Sequence, residues 1–130
     1  KEQAKEKAVA ALKLVGLEQL ADENPHDLEL SERKLVAIAS VLAMDTKVLI
    51  LDEPTIAQDW KGRKIIQKMI RDLSSQGKTV IAILHDMDFV AESFERVIVM
   101  AHGKVLADGT KEEVFAQKEF WSRQGLTSRI

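Results

Sequence analysis

Two adjacent carboxylates, Asp52 and Glu53, stand at the end of a continuous apolar run, Val48 to Leu51, inside the stretch KVLILDEPTIAQD from Lys47 to Asp59. An unbroken run of this kind fits a strand covered on both faces in a parallel sheet, and the ligands of such sheets bind beyond the carboxyl ends of the strands. Like charges at the rim of a low-dielectric core repel each other and lose hydration, so the chemistry they fit is cation binding and proton acceptance. A magnesium ion is the natural cation. Taken alone, the acidic pair favours an acidic turn ending a strand in another α/β protein. Pro54 lacks a backbone donor and turns the chain away. A second apolar run, Thr79 to Leu84, delivers His85 and Asp86 in the same manner. His85 is a titratable group near neutrality or a strand-edge cap, and Asp86 fits the N-cap of the MDFVAESF segment.

The run LILDEPT followed by Asp59 resembles the Walker B segment and D-loop of ATP-binding-cassette (ABC) ATPases. That resemblance implies that Asp52 holds Mg²⁺ through water, that Glu53 polarises the attacking water as general base, and that Asp59 organises a dimer interface. His85, after the second strand, resembles the H-loop histidine that meets the γ-phosphate. Upstream, NPHDLELSERKLVAIASVLAMD resembles the family's signature motif and the helix that follows it, anchored by Val36, Ala37, Ile38 and Ala39. Counting back, the signature positions are Leu28, Glu29, Leu30, Ser31 and Glu32; the pair Leu30-Ser31 lies two residues out of register. In the family a serine and a glycine stand where this chain has Glu29 and Ser31, and they meet the γ-phosphate of ATP held by the opposite subunit at a helix N-terminus. A carboxylate there repels a triphosphate, whereas Ser31 can still donate a hydrogen bond. The composite site is therefore expected to hydrolyse ATP slowly or not at all. The competing reading turns Glu29 outward and makes Ser31 the cap of the next helix.

The flank NPxDL, the run ERKLVAIAS with AMD, and the turn ending Gln58-Asp59 resemble ATPase subunits of energy-coupling-factor and cobalt/nickel-type importers. The resemblance implies two ATPase domains sandwiching two ATP molecules, as a homodimer or heterodimer, and a membrane coupling subunit moved by their closure. It places the protein peripherally at the cytoplasmic face of a membrane. Where Ala57 stands the family D-loop usually has glycine. Intact Glu53 and His85 beside an altered signature imply an asymmetric pair, in which this subunit's own phosphate site uses a normal signature from its partner.

No G-x-x-x-x-G-K-[ST] occurs, and the glycines Gly16, Gly62, Gly77, Gly103, Gly109 and Gly125 are scattered singly, so no phosphate cradle is present. In the family that loop precedes the signature, and the resemblance covers about half of a family domain. A C-terminal fragment is the expectation, ahead of a chain that borrows its phosphate loop. With 130 residues, 45% hydrophobic and a net charge of −2, the chain can bury a sizeable core and has no electrostatic footprint for nucleic acid or an anionic membrane. The absence of cysteine excludes disulfides and thiolate metal sites. No apolar stretch approaches bilayer-spanning length, which excludes direct insertion, and the charged start KEQAKEKAV is not a signal peptide.

The elements that must position these groups follow from periodicity. Ala4, Ala8, Leu12 and Val15 predict a helix over Glu2 to Val15 that stops at Gly16. Ser31 to Met44 reads as a second helix, nearly apolar after Lys34 and so expected to be buried. Ile65, Ile66, Met69, Ile70 and Leu73 predict the core stripe of a helix from about Lys61 to Ser75, closed by Gly77. Val97 to Met100 and Lys104 to Ala107 read as a hairpin turning at His102-Gly103, and Thr110 with Glu113 as a capping box. Beyond Lys118 the pattern weakens, with Trp121 expected to pin the tail or mark a contact surface.

The fold class is therefore α/β: a partial RecA-like P-loop NTPase core, with its parallel sheet, flanking helices and C-terminal hairpin, in residues 45–130. The remainder of the helical subdomain occupies residues 1–44. Without a strand carrying the phosphate loop, the sheet is expected to leave an apolar surface exposed and to promote association. Two further readings compete with an importer ATPase. One is a soluble ABC protein outside transport; the other is an interaction module that keeps the fold without hydrolysis.

Overall fold

A computed structural model describes residues 2–117; the expectation for Trp121 lies outside the described residues. The chain divides into two compact units between Ile83 and Leu84.

In the first unit, α1 (Glu2–Leu14) is followed by 3-10 turns at Glu18–Leu20 and Pro25–Asp27, then α2 (Leu30–Leu42), β1 (Val48–Asp52), α3 (Trp60–Ser75) and β2 (Thr79–Ile83). Helices α1 and α3 stop by the same device. Past α1, Gly16 N–H donates to the Lys13 carbonyl and Leu17 N–H to the Leu12 carbonyl; past α3, Gly77 donates to Ser74 and Lys78 to Leu73. Both glycines sit in the left-handed region, at φ +68° and +79°, the conformation this termination needs and a residue with a Cβ resists. The core stripe of α3 forms as expected: Ile66, Met69, Ile70 and Leu73 are buried, with Ile65 half-buried.

The expectation that α2 is buried fails: it buries Leu35 and Ala39 while Val41 faces water. Helix α1 likewise buries only Ala11. Apolar composition is not burial; a helix lying against one neighbour covers one stripe. The strands show the same one-sidedness. β1 and β2 pair in parallel, Val48 opposite Thr79 through Asp52 opposite Ile83. Leu49 and Leu51 are buried, but Val48, Ile50, Ile81 and Ile83 are 49–65% exposed. The sheet covered on both faces is thus, among the described residues, a parallel pair packed on one face, with α3 against β2, and open on the other. This open face matches the apolar surface anticipated from the sequence.

The second unit contains α4 (Met87–Ser93), β3 (Arg96–Ala101), β4 (Lys104–Thr110) and α5 (Lys111–Phe115). Among the described residues β3 pairs with β4, antiparallel as the hairpin reading expects, with an irregularity between Val99 and Met100. The turn His102-Gly103 has both residues at positive φ, as a two-residue hairpin of this hand requires. Thr110 caps α5: its hydroxyl accepts from Glu113 N–H and its own N–H donates to the Glu113 carboxylate. Val97 and Val114 form the small core, flanked by Val90, Val99, Ala107 and Phe115.

Candidate functional site

β1 places Asp52 as its last residue, exposed and opposite Ile83. Glu53 continues the ladder one step, its N–H donating to the Ile83 carbonyl at 3.0 Å. Its φ is +46°, a left-handed conformation that costs a side-chain-bearing residue about 1–2 kcal/mol. Strain of this sort at a half-buried carboxylate beyond a strand end is what functional sites store. The next turn closes through Ile56 N–H to the Glu53 carbonyl and Gln58 N–H to the Thr55 carbonyl, with Pro54 and Thr55 buried. Ala57, at the position where glycine is usual, has φ +60°. Asp59 then caps α3, its carboxylate accepting Gly62 N–H at 2.7 Å.

The signature segment leads into α2. Leu28 is buried, Glu29 is the N-cap residue and exposed, and Leu30 opens the helix with its side chain 56% exposed. Ser31 lies inside the first turn, so the reading of Ser31 as the cap is corrected: the Glu29 backbone holds that place. Glu29 N–H donates to the Glu32 carboxylate at 3.0 Å, which puts a carboxylate at a helix N-terminus where an anion would otherwise be welcomed.

A cleft of about 300 Å³ runs between α2 and the end of β1, bordered by Lys34, Ala37, Val41, Ile50, Asp52 and Glu53. Two bonds tie the turn after β1 to α2. Lys34 Nζ donates to the Ile56 carbonyl at 2.8 Å, and Gln58 Nε2 donates to the Ser31 carbonyl at 3.1 Å. Leu28–Glu32, Asp52, Glu53 and Asp59 all lie in the first unit; the bond from Gln58 to Ser31 links the signature segment to the turn before Asp59, and the cleft borders Asp52 and Glu53 but none of Leu28–Glu32. His85 belongs to the second unit, exposed in the segment before α4, where Asp86 caps the helix by accepting Phe89 N–H at 2.9 Å.

Among the described residues no group of three or more His, Asp or Glu side chains is placed to hold a metal. Asp52 offers one exposed carboxylate at the strand end. This fits magnesium, which takes one or two carboxylates and keeps the rest of its shell for substrate and water.

Sequence reasoning missed Lys34, Gln58 and Gly62. A methyl on Gly62 would run into the Gln58 side-chain oxygen, so the glycine is the floor on which that amide rests. The sequence carried only a weak signal, a lone glycine inside a helical pattern where alanine would be more stable by about 1 kcal/mol.

A family model for ABC transporters matches residues 1–56. The energy-coupling factor transporter ATP-binding protein EcfA of Methanocaldococcus jannaschii is 42% identical over 119 residues, which is 92% of this chain and 43% of the relative. The solved structure of cbiO1 from Clostridium perfringens, described as part of the ABC transporter complex cbiONQ, superposes with a TM-score of 0.76 at 41% identity, over 93% of this chain and 49% of that one. An ATP-binding cassette of an ABC transporter in its ADP conformation gives a TM-score of 0.83 at 26% identity, over 97% and 50% respectively. The chain thus spans about half the length of the relatives it matches. In sequence through the DEPT turn and in its α/β fold alike, the chain is similar to the ATP-binding proteins of ABC transporters, the energy-coupling-factor and CbiO proteins among them.

Proposed function

We propose that this chain serves in an ATPase that couples MgATP binding and hydrolysis to import across a membrane, of the energy-coupling-factor or cobalt/nickel type. The observation that carries the reading is the Asp52-Glu53 pair at the carboxyl end of β1, with Glu53 held at φ +46° by its backbone bond to Ile83. Asp52 is exposed and suited to hold a hydrated Mg²⁺, which when bound supplies charge neutralisation on the phosphates. Glu53, half-buried, accepts a proton from water as general base. His85 is assigned to the γ-phosphate and Asp59 to the interface with a second ATPase domain; residues 1–44 belong to the helical subdomain and 45–130 to the nucleotide-binding core. Coupling runs through a membrane subunit at the cytoplasmic face, for which the names of the relatives are the support. Among the described residues no helix is long and apolar enough to cross a membrane.

In the full-length protein, Glu53→Gln is expected to lower ATP turnover by about 10²-fold or more while nucleotide binding persists. Unchanged turnover would overturn the assignment.

The acidic start of α2 favours an asymmetric pair. Glu29 and Glu32 together set negative charge where the signature meets a γ-phosphate, so the composite site built on this signature hydrolyses slowly. Replacing Glu29→Ser with Ser31→Gly is expected to raise turnover at that site; no gain, or a fully active symmetric homodimer of the native chain, counts against the asymmetry.

A further inference from the structure

We infer that Lys34, Gln58 and Gly62 form a brace that fastens the signature segment to the turn carrying Asp59, and that Lys34 and Gln58 are positioning residues for the proposed ATPase reaction. Ser31 and Lys34 are three apart on α2 and so share one face of the helix. That face reaches across to the turn twice, the Ser31 carbonyl accepting from Gln58 and the Lys34 ammonium donating to the Ile56 carbonyl. The two contacts fall on either side of Ala57, whose left-handed φ of +60° needs outside support. Asp59, which follows Gln58, is fixed in turn by capping α3 at Gly62. Gly62 also makes space for the brace, since only a residue without a side chain leaves room for the Gln58 amide. Local sequence does not dictate these bonds, since 22 and 27 residues separate the partners.

A segment bonded in this way cannot shift without its neighbour. Displacing residues 29–32 pulls the Ser31 carbonyl on Gln58, and displacing the turn pulls the Ile56 carbonyl on Lys34. Two loops that each face a nucleotide site in the proposed reading thereby move as one body. This inference rests on that reading for its catalytic consequence but not for the brace itself.

The test compares native full-length protein with Gln58→Leu, Lys34→Met and Lys34→Arg by amide hydrogen exchange and by steady-state ATP turnover. Gln58→Leu and Lys34→Met are each expected to speed exchange about fivefold in residues 29–32 and in residues 55–59, the factor that loss of one net hydrogen bond produces. Lys34→Arg, which keeps a long cationic donor, is expected to restore protection. Turnover, referred to the folded fraction counted by stoichiometric nucleotide binding so that loss of folded protein does not enter, is expected to show kcat lowered about fivefold with KM for ATP unchanged. Faster exchange confined to one segment overturns the brace. Exchange raised in both segments with kcat unaltered overturns the positioning role. Turnover is measured on the native protein assembled with the ATPase partner that supplies the other signature; if that assembly shows no ATP turnover, the functional reading fails and the exchange pattern alone decides whether the brace exists.

Discussion

Gly62→Ala offers a stability measurement in which the sign itself is informative. Gly62 lies in the first turn of α3, three residues after the Asp59 cap, where alanine ordinarily stabilises a helix by up to about 1 kcal/mol. Here the new methyl meets the Gln58 side-chain oxygen, and the amide has to swing away. Leaving its place breaks the bond to the Ser31 carbonyl, a loss of about 1 kcal/mol. Gain and loss nearly cancel, so in the native background the substitution shifts stability by no more than about 0.5 kcal/mol. With Gln58→Ala already made there is nothing to displace, and the same substitution stabilises by about 1 kcal/mol. The four proteins form a double-mutant cycle with a coupling of about 1 kcal/mol. In urea unfolding followed by helical circular dichroism, a slope near 2 kcal/mol/M turns that coupling into about 0.5 M of midpoint. Equal stabilisation in both backgrounds would show that Gln58 does not rest on Gly62, and the packing argument would fall.

Ala57→Gly should stabilise by about 0.5–1 kcal/mol, because relief of the left-handed alanine outweighs the added freedom of the unfolded chain; a loss in the same urea experiment would contradict the backbone geometry. Met69→Ala, at a side chain with no exposed surface in the core of α3, should cost about 2–5 kcal/mol, and a cost below about 1 kcal/mol in thermal unfolding would mean the site collapses or is not buried. Acid should weaken the hairpin. The hydrogen bond from Arg96, at 2.8 and 2.9 Å, holds the Asp108 carboxyl below the usual carboxylate range. A depressed folded pKa contributes stability above the unfolded value of about 3.9, and that contribution is lost as pH falls through the lower folded value. Arg96→Gln should raise the Asp108 midpoint in an NMR titration, and an unmoved midpoint would exclude the pair. Lys78 acts likewise on Asp45 in the first unit.

The parts of the fold legible in the sequence are those fixed by local chemistry. The α3 stripe, the Gly16 and Gly77 stops, the Thr110–Glu113 cap and the His102-Gly103 turn each depend on residues within a few positions of one another, and each formed. Burial was less legible because it depends on what lies opposite. The apolar runs at Val48 to Leu51 and along α2 predicted two covered faces and have one among the described residues. The antiparallel pairing of β3 with β4 was legible because the turn between them is local. At the site, Asp52 and Glu53 were visible because charge at the end of an apolar run is costly. Lys34 and Gln58 were not, since a lysine on a helix and a glutamine in a turn are ordinary surface residues until the fold sets them across from backbone carbonyls.

The left-handed backbone at Glu53 sets selection for durability against selection for work. Glu53→Gly would remove the steric penalty while keeping the N–H bond to Ile83 available, and a screen that rewards heat resistance alone would favour it. The same replacement deletes the carboxylate that the proposed reaction needs. Efforts to toughen this protein should therefore hold position 53 fixed and look to Ala57, where the same backbone conformation is relieved without removing a reactive group.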